Sequence, residues 1–172
     1  MAEVLPTATT TEKVNNDLGI KVKISKHFLE NKNVNAIKSN LSKHDFDDIL
    51  SNLCFSLDSG DILIDYRYFK FISTPNNHQA IIYYITSVIK TSLLSHNTFT
   101  IHVNMESLSL LHIEKYFDFI KNVSQVLKSS FPDKLNICYI YNAPYIFYKI
   151  ISIISIFIDK KTQQKIKLVK DD

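Results

Sequence analysis

Apolar and polar residues first alternate at Ile20, Val22 and Ile24, set against Lys21 and Lys23. That period of two predicts a half-buried strand over 20–24. From Asn33 to Leu57 the spacing turns helical, with a break near Ser42, where Ser42-x-x-Asp45 starts a new helix. Leu50, Leu53 and Leu57 carry its apolar face, and Asp58-Ser59-Gly60-Asp61 is a turn. Ile62 to Ile72 is rich in β-branched and aromatic residues and reads as a strand. Pro75-Asn76-Asn77 opens a helix whose apolar positions are Ile82, Ile85, Ile89 and Leu93. Phe99 to Val103 is a strand. Ser109 to Lys128 is a helix with Ile113, Tyr116, Phe117, Ile120 and Leu127 on one face, and Pro132 follows its end. Leu135 to Tyr141 is a nearly continuous apolar run, the pattern of a central strand covered on both sides. Pro144 ends it, Tyr145 to Ile158 is a helix, and Ile166 to Val169 is a last short strand. Strands and helices alternate, which predicts an α/β fold with a mixed, mostly parallel sheet and crossover helices. There is no internal repeat.

Length adds a limit. The 172 residues suffice for one domain with a full core. Residues 1–17, with Thr-Ala-Thr-Thr-Thr and few large apolar side chains, read as an extended tail. Residues 18–60 form an N-terminal strand and helical segment, and 61–172 the α/β domain, with 18–172 as one globular unit. The net charge of +3 is weak, and the lysines scatter except for Lys160, Lys161, Lys165, Lys167 and Lys170. No arginine-rich stripe favours nucleic acid as a partner. Cys54 and Cys138 stand far apart in apolar contexts without a C-x-x-C spacing, which fits a reducing, cytoplasmic setting. No signal pattern opens the chain. The most apolar stretch, 146–158, is interrupted by Lys149 and is too short to span a bilayer. Abundant Ile, Asn and Lys match an AT-rich genome, such as that of a large DNA virus or a protist.

Catalytic signals are missing. The common phosphate-cradle and hydrolase motifs do not occur. The six histidines are dispersed. His102, in a strand among apolar neighbours, reads as a hydrogen-bonded structural residue, and no metal set is expected. Asp45, Asp47 and Asp48 read as helix-start acids favoured by the dipole. Tyr66, Tyr68, Phe69 and Phe71 read as core and sheet packing. The expectation is a non-enzyme.

More specific residues follow Phe131. Phe131-Pro132-Asp133 precedes the 135–141 strand, Asn142-Ala143-Pro144-x-x-Phe147 follows it, and Asp159-x-x-Thr162-x-x-Lys165-Ile166 comes after the next helix. Pro144 lacks an N–H and so belongs where the strand ladder ends. Asn142 suits a side chain that bonds nearby backbone and fixes the turn. Phe147 would pack the first helical turn onto the sheet. Together these segments resemble the signature of the CRAL-TRIO lipid-binding family, which includes phosphatidylinositol and phosphatidylcholine transfer proteins. Upstream, Phe99 to Met105 and Leu108-x-x-Leu111 resemble the family's strand and next helix, with Asn104 where an Asp is usual.

The resemblance implies a CRAL-TRIO-like (SpoIIAA-like) fold with a hydrophobic pocket over a sheet floor, closed by a mobile gate helix. The gate maps onto Ile146, Phe147, Ile150, Ile151, Ile154 and Phe157. A headgroup would be held near Asp133, Thr162 and Lys165, where a carboxylate accepts from inositol hydroxyls and an ammonium and a hydroxyl donate to phosphate. Asp133 stands in place of the usual Glu and is one methylene shorter. The family continues past the last strand with a further helix and a Gly-Gly ending, so a C-terminally shortened member is expected. The expected function is binding or transfer of a phospholipid, phosphatidylinositol among the candidates, with no other cofactor. The late lysines would favour an anionic membrane. The alternative is a non-enzymatic scaffold that kept the fold and closed the pocket, meeting a protein assembly partner through the N-terminal tail.

Overall fold

The computed structural model describes residues 11–15, 21–25 and 45–170. Two short strands, β1 (Thr11–Asn15) and β2 (Lys21–Ser25), pair antiparallel. Residues 21–24 of the predicted strand therefore do belong to one. Thr11 to Asn15, read as tail, is a strand as well. Its sequence is too polar to show a hydrophobic period, and the pairing comes from backbone bonds to β2. The predicted helical stretch from Asn33 to His44 lies outside the described residues, as does most of the tail.

Asp45 begins the first described helix, α1 (Phe46–Leu53), by accepting from the Asp48 N–H at 2.9 Å, so its acids do cap. Ile49, Leu50 and Leu53 are buried. The helix does not run to Leu57 as the pattern predicted. Cys54 is extended (φ −144°, ψ 126°), and β3 (Cys54–Ser56) pairs antiparallel with β4 (Ile62–Asp65). Gly60 closes the hairpin at φ +86°, and its carbonyl accepts from the Ser92 hydroxyl at 2.9 Å. A Cβ there would stand 2.7 Å from the His96 ring. Gly60→Ala is thus expected to destabilise the protein by about 1–2 kcal/mol, a drop of about 2–8 °C in Tm. An unchanged thermal midpoint would show that the hairpin tolerates the strain.

The predicted strand Ile62–Ile72 is half helix. After β4, the Asp65 carboxylate accepts from the Arg67 N–H at 3.1 Å and caps α2 (Tyr66–Ile72). Tyr66, Phe69 and Ile72 are buried at helical spacing. Helix α3 (His78–Leu93) buries Ile81, Ile82, Ile85 and Ile89, each contributing about 1.5–3 kcal/mol by leaving water. Strand β5 (Phe99–Asn104) follows. The single helix predicted over 109–128 is broken at Tyr116 (φ −104°, ψ 16°) into α4 (Leu110–Lys115) and α5 (Phe117–Ser130). The buried residues there are Ile113, Tyr116 and Phe119. Phe69 meets the Tyr116 ring edge-on at 5.0 Å and lies 4.6 Å from Phe119, so the break sits where α2 packs.

Strand β6 (Leu135–Tyr141), the eight-residue helix α6 (Phe147–Ile154), the short α7 (Lys160–Gln164) and β7 (Ile166–Leu168) complete the chain. The helix predicted over 145–158 is therefore shorter. The Gln163 amide donates to the Ser155 and Ile158 carbonyls (3.2 and 2.6 Å), which holds the chain in turns beyond α6. The five-stranded sheet has the order β3-β4-β5-β6-β7; the last four strands are parallel and β3 is antiparallel. The register sets Ile62, Ile101, Cys138 and Ile166 in one row and Ile64, Val103, Ile140 and Leu168 in another, on the same face. The main core of α1, α2, α3 and α5 packs on that face.

Candidate functional site

A cavity of about 240 Å³ lies between this sheet face and α5. Its floor is the row Ile101, Cys138 and Ile166, joined by Phe99 and Leu135 at the N-terminal ends of β5 and β6. One turn of α5 makes the wall, with Ser124, Leu127 and Lys128 at i, i+3 and i+4. Phe157 and Ile158 cover it, and Phe157 meets Phe117 edge-on at 5.0 Å. The cavity explains why β6 is not covered along its whole length. Tyr139, Ile140 and Tyr141 are buried, whereas Leu135 and Cys138 are only half-buried because they face the void. Desolvation in the apolar surroundings of the cavity floor still pushes the Cys138 thiol up to about 12, so it stays protonated.

Asp133, Thr162 and Lys165 all line this cavity, although Asp133 lies in the turn before β6 and the other two on α7 and its C-cap. Phe131-Pro132-Asp133-Lys134 is a β-turn closed by a Lys134 N–H bond to the Phe131 carbonyl at 3.2 Å. Proline sets the first corner, and Asp133 takes the second at φ +58°, a left-handed conformation that Asp tolerates. The turn presents the Asp133 carboxylate at the rim, where it pairs with Lys161. The bond from Lys161 holds the Asp133 carboxyl below the usual carboxylate range and raises Lys161. Asp159 caps α7 by accepting from the Thr162 N–H at 2.8 Å, which lowers its own pKa. Lys128 stands 3.9 Å from Asp159. Lys165 donates to the Leu135 carbonyl, and the Lys165 carbonyl accepts from the Cys138 N–H at 2.9 Å, so its backbone and side chain also tie β7 to β6.

Of the predicted gate residues, only Phe157 lines the cavity, with Ile158 beside it. Phe147 and Ile150 are buried, Ile146, Ile151 and Ile154 are half-buried, and Tyr148 and Lys149 are exposed. The helix is thus two-faced, not enclosed all round. Asn142 (φ +52°) donates to the Asn104 side chain at 3.1 Å, not to nearby backbone. Asn104 also accepts from the Glu106 N–H at 3.0 Å, so the motif joins the loops after β5 and β6. The Pro144 carbonyl accepts from the Phe147 N–H at 2.9 Å and begins the turn into α6.

The C-terminal ends of the parallel strands, where open α/β sheets usually hold ligands, are occupied by side chains. Arg67 is 0% exposed. It donates to both Asp65 oxygens (2.9 and 2.7 Å) and to Glu106 at 2.9 Å. Burial opposes its charge, and the two carboxylates more than offset that. Sequence reasoning missed this cluster. Its one signal was Asp65-x-Arg67 inside an otherwise apolar and aromatic run. On the opposite sheet face, buried His102 bonds the Tyr141 hydroxyl through Nδ1 at 2.9 Å and stacks on Tyr139 and Tyr141. That is the structural histidine expected. Among the described residues no group of His, Cys, Asp and Glu is suited to a metal.

An apolar floor, a helical wall and a charged rim define an α/β domain with an amphiphilic cavity. The chain belongs to the CRAL/TRIO domain family, whose model matches residues 59–172, and the family is one of lipid-binding and lipid-transfer domains. No curated protein matches the sequence. Among solved structures, that of Sfh5 is similar in fold, with a TM-score of 0.62 at 17% identity over 73% of this chain. This chain spans about half of Sfh5, 49% of its length. Among the described residues no helix is long and apolar enough to cross a membrane.

Proposed function

We propose that this chain is a non-catalytic module that captures a membrane phospholipid, with the headgroup at Asp133, Thr162 and Lys165 and apolar atoms over the Ile101–Cys138–Ile166 floor. The observation that carries this reading is the meeting of Asp133, from the turn before β6, with Thr162 and Lys165, from α7 and its C-cap, at the rim of one apolar-floored cavity. Phosphatidylinositol is the ligand to test first, because a carboxylate beside ammonium and hydroxyl groups suits a polyol phosphate. Each acyl CH₂ buried would contribute about 0.8 kcal/mol.

The cavity is smaller than the roughly 300–1,000 Å³ that bury a drug-sized ligand. A two-chain lipid therefore needs Phe157 and Ile158 to move outward. Tyr145, Tyr148 and Ile156 are 97%, 74% and 72% exposed, close in sequence to Lys149 and Lys160. That mixture suits contact with an anionic membrane during exchange. The small volume also favours the second reading, a scaffold that retains the fold with a reduced pocket. Native mass spectrometry of protein purified from cells, followed by lipid extraction, separates the two. One phospholipid per chain is the expected result. A lipid-free mass, with no uptake from phosphatidylinositol-containing vesicles, would leave the scaffold.

A further inference from the structure

Two ion pairs cross the cavity mouth in opposite senses. Lys128 on α5 faces Asp159 ahead of α7, and Asp133 in the turn before β6 faces Lys161 on α7. In each pair one partner belongs to the body of the domain and the other to the segment that follows α6. Lys128, Lys161 and Asp133 are largely exposed and Asp159 less so, so the pairs are weak, screened by salt and easily exchanged.

The three ammonium groups at the rim are not equally free to change partner. Lys165 already donates to the Leu135 carbonyl, inside the sheet. Lys128 sits at the longer distance of 3.9 Å from a carboxylate that is engaged in capping α7. Lys161 donates its hydrogen bond to Asp133, with Asp159 a weaker electrostatic neighbour, and both side chains of the pair reach into solvent. The rim as a whole carries Lys128, Lys161 and Lys165 against Asp133 and Asp159, an excess of one positive charge. A phosphate arriving with its apolar tail over the floor would meet Lys161 where Asp133 now does, and would complete that charge.

We propose that Lys161 is a specificity residue of this cavity, one that exchanges Asp133 for the phosphate of an entering lipid and so selects anionic over zwitterionic headgroups. This rests on the lipid-binding reading above. Asp133 keeps the ammonium in place while the cavity is empty and is released, free to accept from a headgroup hydroxyl, once the phosphate is bound. Its low carboxyl pKa means that it remains a competing anion throughout the neutral range. The same exchange would loosen one of the two pairs that hold the 159–161 segment against the body.

Phosphatidic acid is the informative probe, since its headgroup is a phosphate monoester with no alcohol hydroxyl. The full chain is incubated with phosphatidylcholine vesicles containing one-tenth phosphatidic acid, re-isolated, and its bound lipid counted by native mass spectrometry. The wild type is expected to take phosphatidic acid in several-fold excess over its share of the vesicle. Lys161→Ala is expected to lose that preference. Asp133→Asn, which removes the competitor, is expected to raise phosphatidic acid uptake several-fold, and the double variant is expected to match Lys161→Ala. Both substitutions lie on the surface, and matching thermal midpoints of the three variants check that folding is intact. Reduced uptake by Asp133→Asn, or a preference that survives Lys161→Ala, would overturn the exchange. If inorganic phosphate displaces the bound lipid at equal concentration, the source is free phosphate and the lipid assignment of Lys161 fails. A wild type that takes both lipids in proportion, or takes neither, sinks this proposal, while the lipid-binding reading stands or falls separately on uptake from the phosphatidylinositol-containing vesicles.

Discussion

Arg67→Ala is expected to cost about 3–5 kcal/mol of folding stability, the loss that follows when a buried ion pair loses one partner. Among the described residues the guanidinium makes three bonds to carboxylates, of Asp65 at the end of β4 and Glu106 just after β5, and it is wholly out of water. Its removal leaves Asp65, itself buried, without its countercharge, and Asp65 also holds the N-cap of α2. A domain of this size has roughly 5–15 kcal/mol in total, so the variant should be marginal. Arg67→Lys should recover little, because an ammonium cannot make the paired bonds to Asp65. Urea unfolding of the three proteins measures this. A loss below about 1 kcal/mol for Arg67→Ala would mean that the cluster is solvated and does not organise the strand ends.

Ser124→Trp is expected to abolish lipid uptake while leaving the fold intact. Ser124 is half-buried on the α5 wall, one turn before Leu127 and Lys128, and its small side chain helps leave the void open. An indole placed there fills space that is already empty, so the overpacking cost stays below that of a full core, about 1 kcal/mol or less. Bound lipid should fall by about tenfold or more, equivalent to about 1.4 kcal/mol of binding. Lipid counting after vesicle incubation, beside a thermal melt, gives both readings. Uptake that survives the indole would place the acyl chain outside this cavity and would count strongly against the site proposed for it.

The alternation of strands and helices was legible from Ile62 onward because amphipathic periods of two and 3.6 leave a clear trace in the apolar residues. Strand β6 was legible to the residue, since seven largely apolar positions lie between Pro132 and Pro144. Tyr66 to Ile72 was misread for a physical reason. Tyr, Phe and Ile favour strands locally, and what makes the segment helical is the Asp65 cap together with burial of Tyr66, Phe69 and Ile72 on one side. Cys54 to Ser56 was misread likewise, because only its pairing with Ile62 to Ile64 selects the extended form.

The family, the sheet type and the motif from Phe131 to Ile166 were thus set by sequence alone, since each depends on local pattern and spacing. Tertiary structure decided the rest. The cavity floor needs Ile101, Cys138 and Ile166, which are distant in the chain and become neighbours only through strand register. The pairing of Asp133 with Lys161, the bond between Asn142 and Asn104, and the burial of Arg67 between Asp65 and Glu106 have the same origin. Local propensity concerns residues within a turn or two of one another. These contacts arise only when crossover connections bring separate segments to the same end of a sheet, and so no reading of neighbours along the chain reveals them.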